Sequence, residues 1–163
     1  MKTINVCDAI GDALDYLVAK AKDEPLEFDP MGFGNCSEGG WWIWDTRLGK
    51  LRGARYLKIG RHYSPRTLWE QGGPILEELR AMSHYQFLIE NDGENVHVLA
   101  WPSEHVFFRG YGPTLLDAVM RCYVAWRLGE TVEIPNSLWP ASNVETTRAA
   151  HEGGTVATGL VSG

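Results

Sequence analysis

Cysteine is scarce in this sequence. Cys7, Cys36 and Cys122 are the three present; no two form a Cys-x-x-Cys pair and no histidine follows at zinc-finger spacing, which excludes a disulfide framework or a structural zinc as the basis of the fold. They read as reduced thiols of a cytoplasmic protein. Long apolar runs are also missing. The start, MKTINVCDAIGD, acquires acidic residues before any stretch long enough for a signal peptide, and nothing later approaches membrane-spanning length. Neither export nor a membrane partner is expected. Positive charge is in deficit, with 15 Lys and Arg against 21 Asp and Glu and a formal net charge of −6. No global field draws in a polyanion, so bulk nucleic acid is not an expected partner.

The familiar catalytic signatures are absent too. His62, His84, His97, His105 and His151 show no His-x-x-x-His spacing, and there is neither a Gly-x-Ser-x-Gly turn nor a Walker-type lysine loop. No metal, no cofactor and no catalytic residue is assigned on this basis. Glu77 and Glu78 have the chemistry for acid–base work, but glutamates also favour the first turn of a helix for electrostatic reasons alone.

Aromatic residues, by contrast, are plentiful. The seven tryptophans, Trp41, Trp42, Trp44, Trp69, Trp101, Trp126 and Trp139, exceed what one core cluster needs, so some are expected at a pocket or subunit interface. The length of 163 residues fits one domain with a real core.

Apolar residues recur at three- and four-residue steps from Val6 to Ala21 (Ile10, Ala13, Leu14, Leu17, Val18), while Asp8, Asp12, Asp15 and Lys20 fall elsewhere. The spacing predicts an amphipathic helix. DEPLEFDPMGFGNCSEGG, rich in proline and glycine, reads as loop. WWIWDT (41–46) and ARYLKI (54–59) read as the two strands of a hairpin, joined by a basic connection carrying Arg47 and Arg52. Pro74 suits the first turn of a helix through Ile75, Leu76, Leu79 and Met82, which would set Gly72 and Gly73 just ahead of its N-terminus. Tyr85–Asn91 and Asn95–Trp101 alternate around Asp92-Gly93, a hairpin signal, with a short strand following at Val106–Phe108. LLDAVMRCYVAWRL is the clearest helix, stopped by Gly129. The order predicts an α+β domain over 1–140, with helices on one face of a small antiparallel sheet. Residues 141–163, small and polar, read as a low-complexity tail.

HYSPRTLWEQGGPILEE (62–78) concentrates ligand-like chemistry. Tyr63 and Trp69 offer faces on which a base can stack. Ser64, Thr67 and Gln71 offer directional hydrogen bonds, and Gly72 and Gly73 would let backbone amides approach a phosphate at a helix N-terminus. The competing reading is a turn whose aromatics pack on the core. Gly110-Tyr-Gly-Pro-Thr114 repeats the aromatic–glycine–proline arrangement, with Arg121 further along the helix either balancing an anion's charge or pairing with Asp117 at the surface.

Three separated blocks, DALDYLVAKA, YSPRTLWEQGGPILEE and GPTLLDAVMRCYVAWRLGETVEIP, resemble the phage NinX family, small proteins from the accessory region of lambdoid phages and prophages. The resemblance spans most of residues 3–139. Its central motif corresponds to Tyr63, Ser64, Pro65, Thr67, Trp69, Gln71, Gly72, Gly73 and Pro74, and its last helix to Gly112, Pro113, Arg121, Cys122 and Tyr123. Leu68, Glu70 and Tyr16 depart from the pattern, and residues 28–61 form a longer stretch than is typical. The resemblance implies a phage accessory protein in an infected bacterium's cytoplasm and brings no established activity.

The combined expectation is a non-catalytic binder that sequesters a small anionic nucleotide of host immunity, of the cyclic ADP-ribose or cyclic nucleotide type. Tyr63, Ser64, Thr67, Trp69, Gln71, Gly72, Gly73 and Arg121 are its ligand-binding candidates, and a homo-oligomer would close the pocket. The alternatives are a protein–protein interaction module built on the aromatic surface and a small nucleotide hydrolase using Glu77 or His62.

Overall fold

The computed structural model describes residues 1–30, 39–44 and 56–139. The tail assigned to 141–163, the basic connection with Arg47 and Arg52, Cys36 and His151 lie outside the described residues. Within them, eight strands and three α-helices alternate in an α+β fold: β1 Lys2–Asn5, α1 Asp12–Ala21, β2 Leu26–Asp29, β3 Gly40–Trp44, β4 Tyr56–Lys58, α2 Trp69–Met82, β5 Gln86–Asn91, β6 Val96–Ser103, β7 Val106–Gly112, α3 Leu115–Leu128 and β8 Thr131–Ile134.

The strands pair antiparallel, in three small sheets rather than one: β1 with β8, β2-β3-β4, and β5-β6-β7. Helix α3 is the hub. Thr114 caps it, its Oγ1 accepting the Asp117 N–H at 3.1 Å, and Gly129 at φ +95° ends it. Its apolar positions Val119, Met120, Cys122, Tyr123 and Val124 are buried. On one side it lies against β6 and β7, where Val98 and Ala100 are fully buried. A Cβ at Gly110 would strike the Ala118 carbonyl, and one at Gly112 would lie 2.7 Å from the Asp117 Cβ, so these glycines serve the close approach of strand to helix. Helices α1 and α2 both pack against α3. Tyr123 Oη donates to Glu78 Oε1 at 3.1 Å, and Lys22 and Arg127 stand 3.7 and 3.9 Å from the same carboxylate, tying the three helices together.

Several local readings change. The strand expected at Val106–Phe108 runs on to Gly112, so Gly110, Tyr111 and Gly112 belong to β7 and not to a loop open to a ligand. The helix expected from Val6 is preceded by strand β1, and a single 3-10 turn at Val6–Asp8 comes before α1. Gly11, at φ 56° and ψ −134°, holds a conformation no helix contains, and the chain bends there. The loop reading of 23–40 misses β2, whose Phe28 and Glu27 pair with Trp41 and Trp42. The second helix starts at Trp69, so Gly72, Gly73 and Pro74 lie inside it. Helix α1 is buried on all sides along Ala13–Ala19, so it is a core helix and not an amphipathic one.

Candidate functional site

The all-round burial of α1 draws in Asp15, whose side chain is fully enclosed. A carboxylate there must be matched by donors. The segment after β4 supplies them. Ser64 Oγ donates to Asp15 Oδ2 at 2.8 Å, the Arg66 N–H reaches Oδ1 at 3.5 Å, and the Arg66 Nε stands 3.3 Å from Oδ2. Burial still dominates: it pushes the Asp15 carboxyl up to about 6, against the lowering effects of Ser64 and Arg66.

Around this contact the 62–71 segment is braced from within. Thr67 Oγ1 donates to Ser64 Oγ at 2.9 Å. The Gln71 side chain folds back, its Oε1 accepting the Ser64 N–H and its Nε2 donating to the His62 carbonyl, both at 2.7 Å. Thr67 and Leu68 N–H groups bond to the Ser64 carbonyl at 3.0 and 2.8 Å, which starts α2 without a side-chain cap at Leu68. The result is a loop held rigid before the helix begins.

The eight sequence candidates divide sharply. Tyr63 is buried, with burial raising its phenol well above the ordinary tyrosine range, so its ring is a core face and not a free stacking surface. Ser64 and Gln71 spend their polar atoms on Asp15 and on the backbone. Gly72 is no phosphate cradle: it lies in the first turn, its N–H bonded to the Leu68 carbonyl at 2.8 Å, and a Cβ there would strike the Pro65 carbonyl and sit 2.8 Å from Leu116 Cδ2. Gly73 meets nothing closer than Trp69 Cε3 at 4.0 Å, but it too is within the helix.

Arg121 is neither a surface partner of Asp117 nor part of this segment. It is buried, donating from Nε and Nη2 to the Ala9 carbonyl at 3.2 and 2.8 Å and from Nη1 to the Tyr111 carbonyl at 2.6 Å. It staples the bend before α1 to β7. That leaves Trp69, 57% exposed on the first turn of α2, with the Thr67 side chain exposed nearby. Its indole faces outward.

Asp15 and Arg66 were not among the candidates. The signal was a lone acid inside an otherwise apolar run, ALDYLVA, read as the polar side of an amphipathic helix because Asp8 and Asp12 shared its phase. Of the proposed acid–base groups, Glu78 is engaged by Tyr123, Lys22 and Arg127 as described, and the His62 ring lies 6.4 Å from that of Trp42. No cluster of three or more His, Cys, Asp or Glu suited to a metal occurs among the described residues, and no helix among them is long and apolar enough to cross a membrane. A model of the family described as Bacteriophage P22, NinX matches residues 5–127. No curated protein matches the chain.

Proposed function

Because the chain belongs to the phage NinX family, we propose that it works by binding in the infected bacterium's cytoplasm, with Trp69 as the anchor of its contact surface and another protein as the partner. The observation that carries this reading is the exposure of Trp69, 57%, on a segment braced by Asp15, Ser64 and Gln71. A large side chain held outward on a rigid support suits a hot spot, because little conformational freedom is lost on contact. A small-molecule site buries 70–90% or more of its ligand in a concavity, whereas Trp69 in the single chain stands open.

Sequestration of a small anionic nucleotide is the second reading. It is favoured by the place of Trp69 at the N-terminus of α2, where amides without intrahelical partners attract an anion and the indole can take a base. In that case the wall opposite Trp69 must come from another subunit, since Ser64, Gln71 and Arg121 are already engaged and Tyr63 is buried.

One pair of measurements distinguishes them. The protein is incubated with cyclic ADP-ribose and cyclic dinucleotides, and the filtrate is assayed before and after heating. Depletion reversed intact by heat supports sequestration, and chemically altered nucleotide supports a hydrolase. A photo-crosslinking aromatic placed at position 69 in host cells gives a discrete protein adduct if the first reading holds. No depletion together with no adduct removes both.

A further inference from the structure

Strand β5 is one of the two open edges of the β5-β6-β7 sheet: its six residues pair with β6 in unbroken register from Gln86–Trp101 to Asn91–Val96, and among the described residues no strand pairs with its other side. Its protection as an edge is slight, a single charge at Glu90 with no lysine, no proline and no bulge. Opposite β7, by contrast, the ladder is interrupted between Ala100 and Ser103. Phe87 and Ile89 face the same way as the buried Ala100 and Val98 that they pair with. Ile89 is nevertheless 45% exposed where the strand faces α2. Between them runs a cleft of about 500 Å³ lined by Leu76, Glu77, Arg80, Ser83, Phe87 and Ile89.

We propose that a second copy of this chain occupies this edge, β5 pairing antiparallel with the partner's β5 about a two-fold axis at Leu88 to make one six-stranded sheet. A two-fold interface must be self-complementary, and this surface is. With Leu88 opposite the partner's Leu88, Phe87 falls opposite the partner's Ile89 on the cleft side, and Gln86 falls opposite the partner's Glu90 on the other. The two flanking contacts each occur twice, and the Leu88 pair lies on the axis. An edge pairing centred one residue later would instead oppose Leu88 to the partner's Glu90, an apolar group to a charge. The same two-fold relates the two α2 helices antiparallel, and their Glu77 and Arg80, both exposed and both lining the cleft, carry the opposite charges that a self-complementary face needs. Backbone hydrogen bonds supply the affinity of such strand addition, and the alternate side chains supply the register. This inference does not rest on the identity of the partner at Trp69.

Sedimentation velocity of the full chain across a concentration series tests it, with the expected species about twice the 18.2 kDa chain mass. Ile89→Lys, at an exposed position where the fold has little to lose, should weaken dimerisation by about tenfold or more, as an inserted edge charge does. Arg80→Glu should weaken it as well, and the charge swap Glu77→Arg with Arg80→Glu should restore it. The register has its own readout. Leu88→Cys should form a disulfide-linked dimer under oxidation, because directly opposed residues sit about 4.5–5.5 Å apart. Gln86→Cys should not, since the two copies of that position lie about 13 Å apart at ~3.3 Å per residue. A wild-type chain that stays monomeric throughout overturns the proposal. So does a dimer indifferent to Ile89→Lys, or one that crosslinks at Gln86→Cys and not at Leu88→Cys.

Discussion

Titrating Asp15 should destabilise the protein as pH rises from about 4 to about 7. The carboxyl sits at about 6 in the folded chain against 3.8 for a free aspartate, so between those values the folded state holds a proton that the unfolded state has released. Stability falls wherever the folded state binds more protons, and the contribution is intact below 3.8 and gone above about 6. At 1.36 kcal/mol for each pH unit of displacement, the loss between pH 4 and pH 7.5 comes to roughly 2 to 3 kcal/mol. That is a large part of the stability of a typical domain. Other groups titrate in the same range, so the quantity to measure is the difference between wild type and Asp15→Asn. The asparagine alters the Arg66 contact by a fixed amount but cannot ionise, and the fixed term cancels in the pH slope. Urea unfolding followed by tryptophan fluorescence at pH 4 and pH 7.5, on either side of the isoelectric point of 5.3, gives both free energies. A wild-type loss of less than about 0.5 kcal/mol relative to Asp15→Asn, or a gain, would refute the argument that burial outweighs Ser64 and Arg66.

Neighbouring glycines separate helix geometry from ligand geometry. Gly73→Ala should stabilise by roughly 0.8–1 kcal/mol through helix propensity, because the added methyl meets only an ordinary contact with Trp69, while Gly72→Ala should destabilise through its collision with Pro65 and Leu116; thermal melts of both variants check this. Arg121→Leu leaves the buried Ala9 carbonyl and the part-buried Tyr111 carbonyl short of donors and should cost about 1–3 kcal/mol for the first and less for the second, read by urea denaturation, with the loss appearing in stability whether or not a partner is present. Trp69→Ala should stay within about 0.5 kcal/mol of wild type, measured in the same way; unfolding of this variant would mean that the indole supports the core.

Legibility in the sequence followed how local the determining physics was. Helix α3 was readable to its ends because its apolar lines and the Gly129 stop lie within a single stretch. The β5–β6 hairpin was readable because Asp92-Gly93 announces its own turn, with the Asp92 carboxylate accepting the Glu94 and Asn95 N–H groups at 2.9 and 2.7 Å. The β3–β4 pairing of Trp42 with Lys58 likewise agrees with the hairpin reading. Strands β1 and β8 were not legible. Each is four residues long, and they are stabilised by each other across nearly the whole chain. Pro74 misled because proline is commonest in a first turn, whereas here the Ser64-centred hydrogen bonds start the helix one turn earlier. The site residues failed for a related reason. Serine, glutamine and arginine look alike in sequence whether they hold a ligand or hold the chain, and only the enclosure of Asp15 and the burial of Arg121 against the Ala9 and Tyr111 carbonyls show that Ser64 and Arg121 do the second.

The central claim, that this NinX-family chain binds through the face around Trp69, is tested most directly by crosslinking from that position in infected cells. A photoreactive aromatic at position 69 should yield one discrete adduct, and the same group at Glu133, exposed on β8, should yield none. An adduct pattern identical at the two positions would contradict the account, as would none at position 69 from a folded protein.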